Sequence, residues 1–290
     1  MKFCPRKPRL GVVVFGAGLL GMCLAAHLLD GQAVDSGSTG IPSQAEQDAM
    51  LTAMRQYAGQ YITHLPNFIC VQVTQQFEAG RKPTHWRKGD TLRFKLVFNA
   101  GTEERSIELV NDKPPAPGRR WRAPLSTEGE FGTLLGNVLG ASSEASFTWR
   151  GWETVAGRRL AVFDFAVDRA HSTLSLTLSD LAHSVVPYHG SVYGAPDTGE
   201  VWRISNSAFD IPKEIRTKSL STVIEYGEVP IGGTKYLLPV EASVSLDTGS
   251  NNVRNEMWFR EYRKFEADSS VTYTPGGQAA EPVKLNPPEE

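Results

Sequence analysis

The chain has 290 residues, of which 40% are hydrophobic and 21% charged, and its formal net charge at pH 7 is −2. This length and composition allow one or two domains with a sizeable core, and they exclude a wholly disordered chain, a collagen and a multi-span membrane protein. The near-neutral charge argues against nucleic-acid binding, which needs an excess of basic residues. The chain has 3 cysteines, which are too few for a dense disulfide framework.

The first 33 residues have the pattern of a secretory signal. Basic residues at positions 2 to 9 precede an apolar run from Leu10 to Leu29, and a small-residue site ends at Ala33. This order predicts export with cleavage after Ala33. The apolar run is also near the ~20 residues that span a bilayer, so a retained N-terminal anchor stays open. In both cases we expect the remaining chain in the periplasm or cell envelope, with membrane contact only through residues 1–33 when they are uncleaved.

The same stretch contains a GxGxxG pattern from Gly16 to Gly21. In a dinucleotide-binding fold, such glycines bring a pyrophosphate to a helix N-terminus. The following helix should then be amphipathic, but the residues up to Leu29 include only His27 as a polar side chain. No βαβ alternation follows, and the fingerprint is weak outside that context. We therefore favour the export signal and expect no cofactor.

A linker over residues 34–42 leads to a helix. Ser43 and Glu46 form a capping-box pattern, and apolar residues then recur at helical spacing. The spacing predicts an amphipathic helix over residues 43–64, which Pro66 ends.

Beyond this helix the period of the apolar residues changes to two. Alternating runs begin at Phe68 and recur almost to the end of the chain, as is typical of one-sided antiparallel strands. A Pro-rich loop over residues 111–124 and a short helix over residues 127–140 interrupt them. About ten strands predict a mainly β (α+β) domain over residues 43–272, built on a large curved antiparallel sheet or half-barrel. A disordered tail, 273–290, is expected to follow.

Two Asp-Thr-Gly triplets, at residues 197–199 and 247–249, are similar to the active-site loops of aspartic proteases, in which two carboxylates share a proton. Two-lobed proteases place these loops in separate lobes, whereas both triplets here lie in one run of strands. Asp-x-Gly is also common turn chemistry, and each triplet lies between two strand patterns. We therefore expect hairpin turns and keep an aspartic-type hydrolase as an alternative.

The other chemistry-bearing residues do not form a recognisable catalytic or metal-binding motif. The 6 histidines are scattered without ligand spacing, and the sequence has neither a nucleophile elbow nor a P-loop. The basic cluster at residues 119–122 is too short to contact many phosphates. Cys70 lies within a strand pattern and is interpreted as a small core residue. We expect a protein that is not an enzyme and holds no metal.

Three segments resemble the periplasmic lipoprotein-carrier superfamily, the LolA-like half-barrels, and secreted bacterial proteins of unknown function with that fold. They are the helix exit at residues 65–70 and the hairpins over residues 197–203 and 229–240. The resemblance covers about residues 45–270, within which the loop at 111–126 is additional. It implies a non-enzymatic role in which the hollow of the curved sheet holds acyl chains or a partner's hydrophobic segment.

Four phenylalanines on apolar strand faces are the candidate ligand-binding residues: Phe94, Phe98, Phe163 and Phe165. Aromatic side chains offer a ligand a large apolar area, although an ordinary core has the same pattern. The leading hypothesis is an exported, non-enzymatic binding protein that holds a lipid, a lipoprotein or another apolar ligand. An envelope protein-interaction or sensor module with a protein partner is the alternative.

Overall fold

The computed structural model describes residues 40–115, 130–178 and 182–265. The predicted signal, most of the predicted linker, part of the Pro-rich loop and the predicted tail lie outside the described residues, so those predictions stay predictions. In chain order the elements are α1 (Gln44–His64), β1 (Phe68–Gly80), β2 (Arg87–Asn99), β3 (Thr102–Val110), α2 (Thr133–Leu139), β4 (Ser146–Val155), β5 (Arg158–Val167), β6 (Ser175–Leu178), β7 (Ala182–Val185), β8 (Tyr188–Gly194), β9 (Val201–Ala208), β10 (Ser219–Ile231), β11 (Thr234–Asp247) and β12 (Asn251–Lys264).

Helix α1 has the N-terminus that the capping box predicts. The Ser43 hydroxyl accepts a hydrogen bond from the Glu46 backbone amide at 3.3 Å, and the Glu46 carboxylate accepts one from the Ser43 amide at 2.7 Å. The helix ends where Leu65 turns extended before Pro66, since a residue before proline disfavours helical geometry. None of the described helices is both long and apolar enough to cross a bilayer.

Ten of the strands form one antiparallel sheet in the order β3-β2-β1-β12-β11-β10-β9-β8-β5-β4, and β6 pairs with β7 separately. Strands β3 and β4 are the two edges of the large sheet, so it is not closed into a barrel. The last strand, β12, joins the two halves by pairing with both β1 and β11. This architecture confirms the predicted mainly β fold with a large antiparallel sheet and two helices.

One face of the large sheet packs against helices, and we call it the covered face. Helix α1 lies on it: the Tyr61 hydroxyl donates to the Leu237 carbonyl at 2.8 Å, and Met54 packs so tightly on Gly194 that a Cβ there would clash. The second element on this face is residues 130–144, which we call the covering segment. It contains α2 and a 3₁₀ turn at residues 141–143. The hydrophobic core lies between the sheet and these two elements.

The inserted helix is shorter than the predicted span 127–140. It begins only at Thr133, because Gly132 has a φ of +114° and breaks helical continuity. It ends at Gly140, whose backbone is extended. A Cβ on Gly132 would also lie 2.7 Å from an Ile62 side-chain carbon. This glycine therefore fixes both the start of α2 and its close approach to α1.

Candidate ligand-binding site

Phe131, at the start of the covering segment, is the centre of an aromatic cluster on the covered face. Its ring centroid lies 5.3 Å from that of Phe68 and 5.4 Å from that of Phe259. Phe98 and Tyr262 follow at 6.3 and 6.5 Å. Ring pairs at such distances contribute ~0.5–1.5 kcal/mol beyond their buried area. Phe131 is thus the main apolar anchor of the segment on β1, β2 and β12.

A buried ion pair adjoins this cluster. The Glu130 carboxylate, of which 2% is exposed, binds the Arg105 guanidinium on β3, and Glu103 binds the same guanidinium. Alternation along β3 puts Glu103, Arg105 and the apolar Ile107 on one face, so the charges point into an otherwise apolar region. The Tyr226 hydroxyl donates to the Glu130 carbonyl at 3.3 Å. The start of the covering segment is therefore held by both polar and aromatic contacts.

The C-terminal part of the covering segment is also held by polar contacts. The Tyr188 hydroxyl on β8 donates to the Asn137 carbonyl of α2 at 2.9 Å. His171 Nε2 lies 3.3 Å from the Glu144 carboxylate, and its Nδ1 lies 3.0 Å from Asp168 Oδ1. These contacts attach the segment to the half of the sheet opposite Arg105, so it crosses the covered face.

The space under the two covering elements has a low polarity. Burial raises the pKa of the hydroxyls of Tyr61, Tyr226 and Tyr262 well above their ordinary value. Burial, with a smaller effect of Glu103, raises the pKa of the Cys70 thiol to about 12. All four groups are neutral at physiological pH. The thiol is consequently a poor nucleophile, which agrees with its interpretation as a core residue.

All four candidate phenylalanines lie on the covered face. Phe98 stacks on Phe68 at 5.0 Å, whereas Phe94 is half-buried and pairs directly with Gln72. On the other half of the sheet, Phe163 packs edge-on against Trp149 at 5.2 Å and Phe165 against Tyr188 at 6.2 Å. Phe98, Phe163 and Phe165 are at most 3% exposed and contact protein side chains. Phe98 also contacts Phe131 of the covering segment, so a ligand reaches Phe98 only after that segment moves.

Sequence reasoning missed the residues that hold the covering segment. Glu130 and Phe131 fall within the predicted helix 127–140, where they give no separate signal. The sequence does contain a signal for Arg105, because the period-two pattern of TEERSIELV places this cation on the same face as Ile107. A charged residue at an inward position of an apolar strand indicates a buried counter-ion elsewhere in the fold.

The two Asp-Thr-Gly triplets form hairpin turns, as predicted. Residues 197–199 join β8 to β9, and residues 247–249 join β11 to β12. The Asp247 carboxylate accepts a hydrogen bond from the Gly249 amide. The turns lie at opposite ends of the 13-residue strand β10, which is ~40 Å long. Two carboxylates that share a proton must nearly touch, so the aspartic-type hydrolase hypothesis is wrong.

The other features of the described residues are a lack of metal-binding clusters and a shallow surface depression. In residues 40–115, 130–178 and 182–265, His, Cys, Asp and Glu side chains do not cluster in groups of three that could hold a metal. A shallow depression of about 210 Å³ lies on the uncovered face, lined by Glu225, Glu241 and Trp258 among others. Glu225 there is paired with Arg203 at 2.9 Å. The covered face remains the better candidate for an apolar ligand.

Comparison with known proteins finds similar backbones but no similar sequences. No family model and no curated protein matches the chain. A LolA superfamily protein from Nitrosomonas europaea matches at 9% identity over 77% of this chain and 97% of its own, with a TM-score of 0.37. A domain from Vibrio parahaemolyticus, described provisionally as an outer membrane lipoprotein-sorting protein, matches at 9% identity over 76% and 93%, with a TM-score of 0.37.

A DUF1329 family protein from Desulfovibrio piger matches at 10% identity, over 80% of this chain and 96% of its own, with a TM-score of 0.35. The LolA superfamily, which the hairpin motifs of this sequence resemble, is thus represented among the matching structures.

Proposed function

We propose that this chain is an exported, non-enzymatic binding protein that holds an acyl chain of a lipid or lipoprotein, or another apolar ligand, on the covered face of its sheet. One observation carries the proposal: a short segment, rather than a second sheet, covers part of the apolar face of the sheet. The segment is held by the Glu130 ion pair, the Phe131 cluster, the contacts of Asn137 and Glu144, and the burial of Leu135, Val138 and Leu139.

A ligand enters by replacing the covering segment. Burial of a phenylalanine such as Phe131 is worth ~1.5–3 kcal/mol, and each buried methylene contributes ~0.8 kcal/mol. Displacement of the segment also exposes Leu135, Val138 and Leu139. About 8–15 methylenes of an acyl chain are therefore needed to offset the loss of these four buried side chains. Phe94, Phe98, Phe163 and Phe165 then form the wall against which the chain lies.

A titration with N-phenyl-1-naphthylamine, which fluoresces in apolar surroundings, tests the proposal. We expect saturable binding to the protein. Phe94→Ser removes a half-buried aromatic from the covered face, and it should weaken binding about fivefold. Phe209→Ser is the matched control, because Phe209 is 40% exposed and lies outside the core; it should bind as the wild type does. Absence of saturable binding, or equal losses in both variants, contradicts the proposal.

Native mass spectrometry of the full chain, expressed in a bacterium with its own N-terminus, supplies a second readout. We expect a protein cleaved after Ala33 that carries a bound lipid. A stoichiometric protein partner without any lipid would instead support the interaction-module alternative.

A further inference from the structure

A row of polar side chains crosses the covered face, and we propose that it binds an uncharged hydrogen-bonding group of the ligand, such as an amide or a hydroxyl. The row, which we call the amide row, consists of Gln76, Asn255, Thr222 and Asn206. This inference rests on the proposed function and specifies the ligand class as an amphiphile with a neutral polar group.

The strand register places these four side chains in one line across the sheet. Gln76 on β1 pairs directly with Asn255 on β12, and Thr222 on β10 pairs directly with Asn206 on β9. Val244 on β11 lies between the two pairs, opposite both Asn255 and Thr222. Directly opposed residues of antiparallel strands point to the same side of the sheet. The amide row therefore runs across five neighbouring strands on one face.

The alternation of side chains along β10 and β12 shows that this face is the covered face. Phe259, which contacts Phe131, and Asn255 are four residues apart on β12. Tyr226, which reaches Glu130, and Thr222 are likewise four apart on β10. An even spacing keeps side chains on the same face, so the amide row lies on the covered face. It is ~13 Å along the strands from the Phe131 cluster, a distance that one amphiphile can bridge.

Three side chains of the row are buried, whereas Thr222 is half-buried. Gln76 is 6% exposed, Asn255 4% and Asn206 8%. Gln72, two residues before Thr74 on β1, is 3% exposed and donates from Nε2 to the Thr74 hydroxyl at 3.0 Å. Within the described part of the chain, neither Gln72 Oε1 nor Gln76 Nε2 has a hydrogen-bond partner. Gln76 Nε2 is thus an unsatisfied buried donor within the row, at a cost of ~1–3 kcal/mol. Gln72 Oε1, four residues earlier on the same face of β1, is an unsatisfied buried acceptor outside the row.

The chemistry of the row selects a neutral group. Amide and hydroxyl side chains both donate and accept hydrogen bonds, whereas the row itself contains no charged residue. The carboxylates of Glu103 and Glu130 on the same face are bound to Arg105. A ligand carboxylate or ammonium at the row would lose its hydration without gaining a counter-ion. An amide or hydroxyl would accept a hydrogen bond from the unpaired Gln76 Nε2 at no such cost.

Three amphiphiles with ten-carbon chains test the inference by displacement of N-phenyl-1-naphthylamine below their micelle concentrations. They are N-decanoyl-N-methylglucamine, decanoate and decyltrimethylammonium, whose heads are neutral, anionic and cationic. We expect the wild type to bind the neutral probe about fivefold more tightly than either ion. Gln76→Leu should abolish this preference without weakening binding of N-phenyl-1-naphthylamine, and it should raise the melting temperature because an unsatisfied buried amide is removed.

Gln56→Leu, at an exposed position of α1, is the matched control and should keep the preference. Thr222→Val, which changes a hydroxyl to a methyl group at constant shape, is the second variant if Gln76→Leu fails to fold, and it should reduce the preference. Equal binding of the three probes by the wild type, or an unchanged preference in both row variants, overturns this inference alone. Failure of N-phenyl-1-naphthylamine to bind overturns the proposed function as well.

Discussion

Arg105 and Glu130, 25 residues apart in the chain, form an ion pair in which 17% of the arginine side chain and 2% of the glutamate side chain are exposed. The pair joins edge strand β3 to the first residue of the covering segment. Taking a carboxylate out of water is costly, so such a pair is stable only while its geometry is kept. The free energy of lifting the segment therefore depends strongly on this one contact.

Replacement of Arg105 should loosen the covering segment. Removal of one partner of a buried ion pair costs ~3–5 kcal/mol, because the other charge stays buried. We expect Arg105→Gln to lower the free energy of unfolding in urea by about that amount. Its affinity for N-phenyl-1-naphthylamine should rise, because the segment competes less well for the covered face.

Arg93→Gln is the control for this substitution. Arg93 pairs with Glu108 at 3.4 Å on the neighbouring strand, with 39% and 41% of the two side chains exposed. Exposed pairs contribute only ~0.2–1 kcal/mol, so stability and probe affinity should stay close to those of the wild type. Similar losses of stability in the two variants would mean that the Arg105 contact has no special role.

Gly132 should not tolerate a side chain. Its φ of +114° is unfavourable for any L residue, and a Cβ would lie 2.8 Å from the Tyr61 ring. We expect Gly132→Ala to lower the melting temperature clearly. Gly59→Ala, at an exposed position within α1 with open space around the new Cβ, should instead stabilise the protein by ~0.5–1 kcal/mol. Urea unfolding of both variants measures the difference, and stabilisation of Gly132→Ala would contradict the observed turn.

Stability should fall at alkaline pH. The Cys70 pKa of about 12 in the folded protein exceeds the ~8.5 of a free cysteine, and burial raises the pKa values of Tyr61, Tyr226 and Tyr262 in the same direction. The unfolded chain therefore loses these protons first, so their contribution is fully present below pH ~8.5 and is lost as pH rises toward the folded values.

Urea unfolding at pH 7.5 and pH 10 measures this effect. The Cys70 contribution to the loss is ~2 kcal/mol at pH 10. Cys70→Val, which fills a similar volume without a titrating group, should show a correspondingly smaller loss between the two pH values. An identical pH dependence of the two proteins would mean that folding does not raise the pKa of Cys70.

The sequence predicts those parts of the fold that depend on neighbouring residues. The capping box at Ser43, the helical spacing of α1, the period-two strands and the turn chemistry of the two Asp-Thr-Gly triplets are all local signals, and the structure confirms them. Alternation also places Phe94 and Phe163 on one face. It does not show what lies over that face, because Glu130 and Phe131 reach β3, β1 and β12 through contacts distant in the chain.

The start of α2 and the amide row could not be predicted from the sequence, because both involve residues that are distant in the chain and close in the fold. A glycine within a weak helical pattern does not reveal a positive φ, so the break at Gly132 is seen only in the structure, where Gly132 has a φ of +114° and packs on Ile62. Gln76, Asn255 and Asn206 lie on strands that are far apart in the chain and adjacent in the sheet. Only the strand order brings such residues into one row.

Hydrogen–deuterium exchange of the covering segment, with and without saturating N-phenyl-1-naphthylamine, is the most direct test of ligand entry beneath residues 130–144. We expect the amides of Thr133–Leu139 to exchange at least about tenfold faster in the bound protein, because the segment is displaced, while those of β1 and α1 keep their protection. Saturable binding with unchanged or slower exchange of Thr133–Leu139 would contradict a ligand site on the covered face.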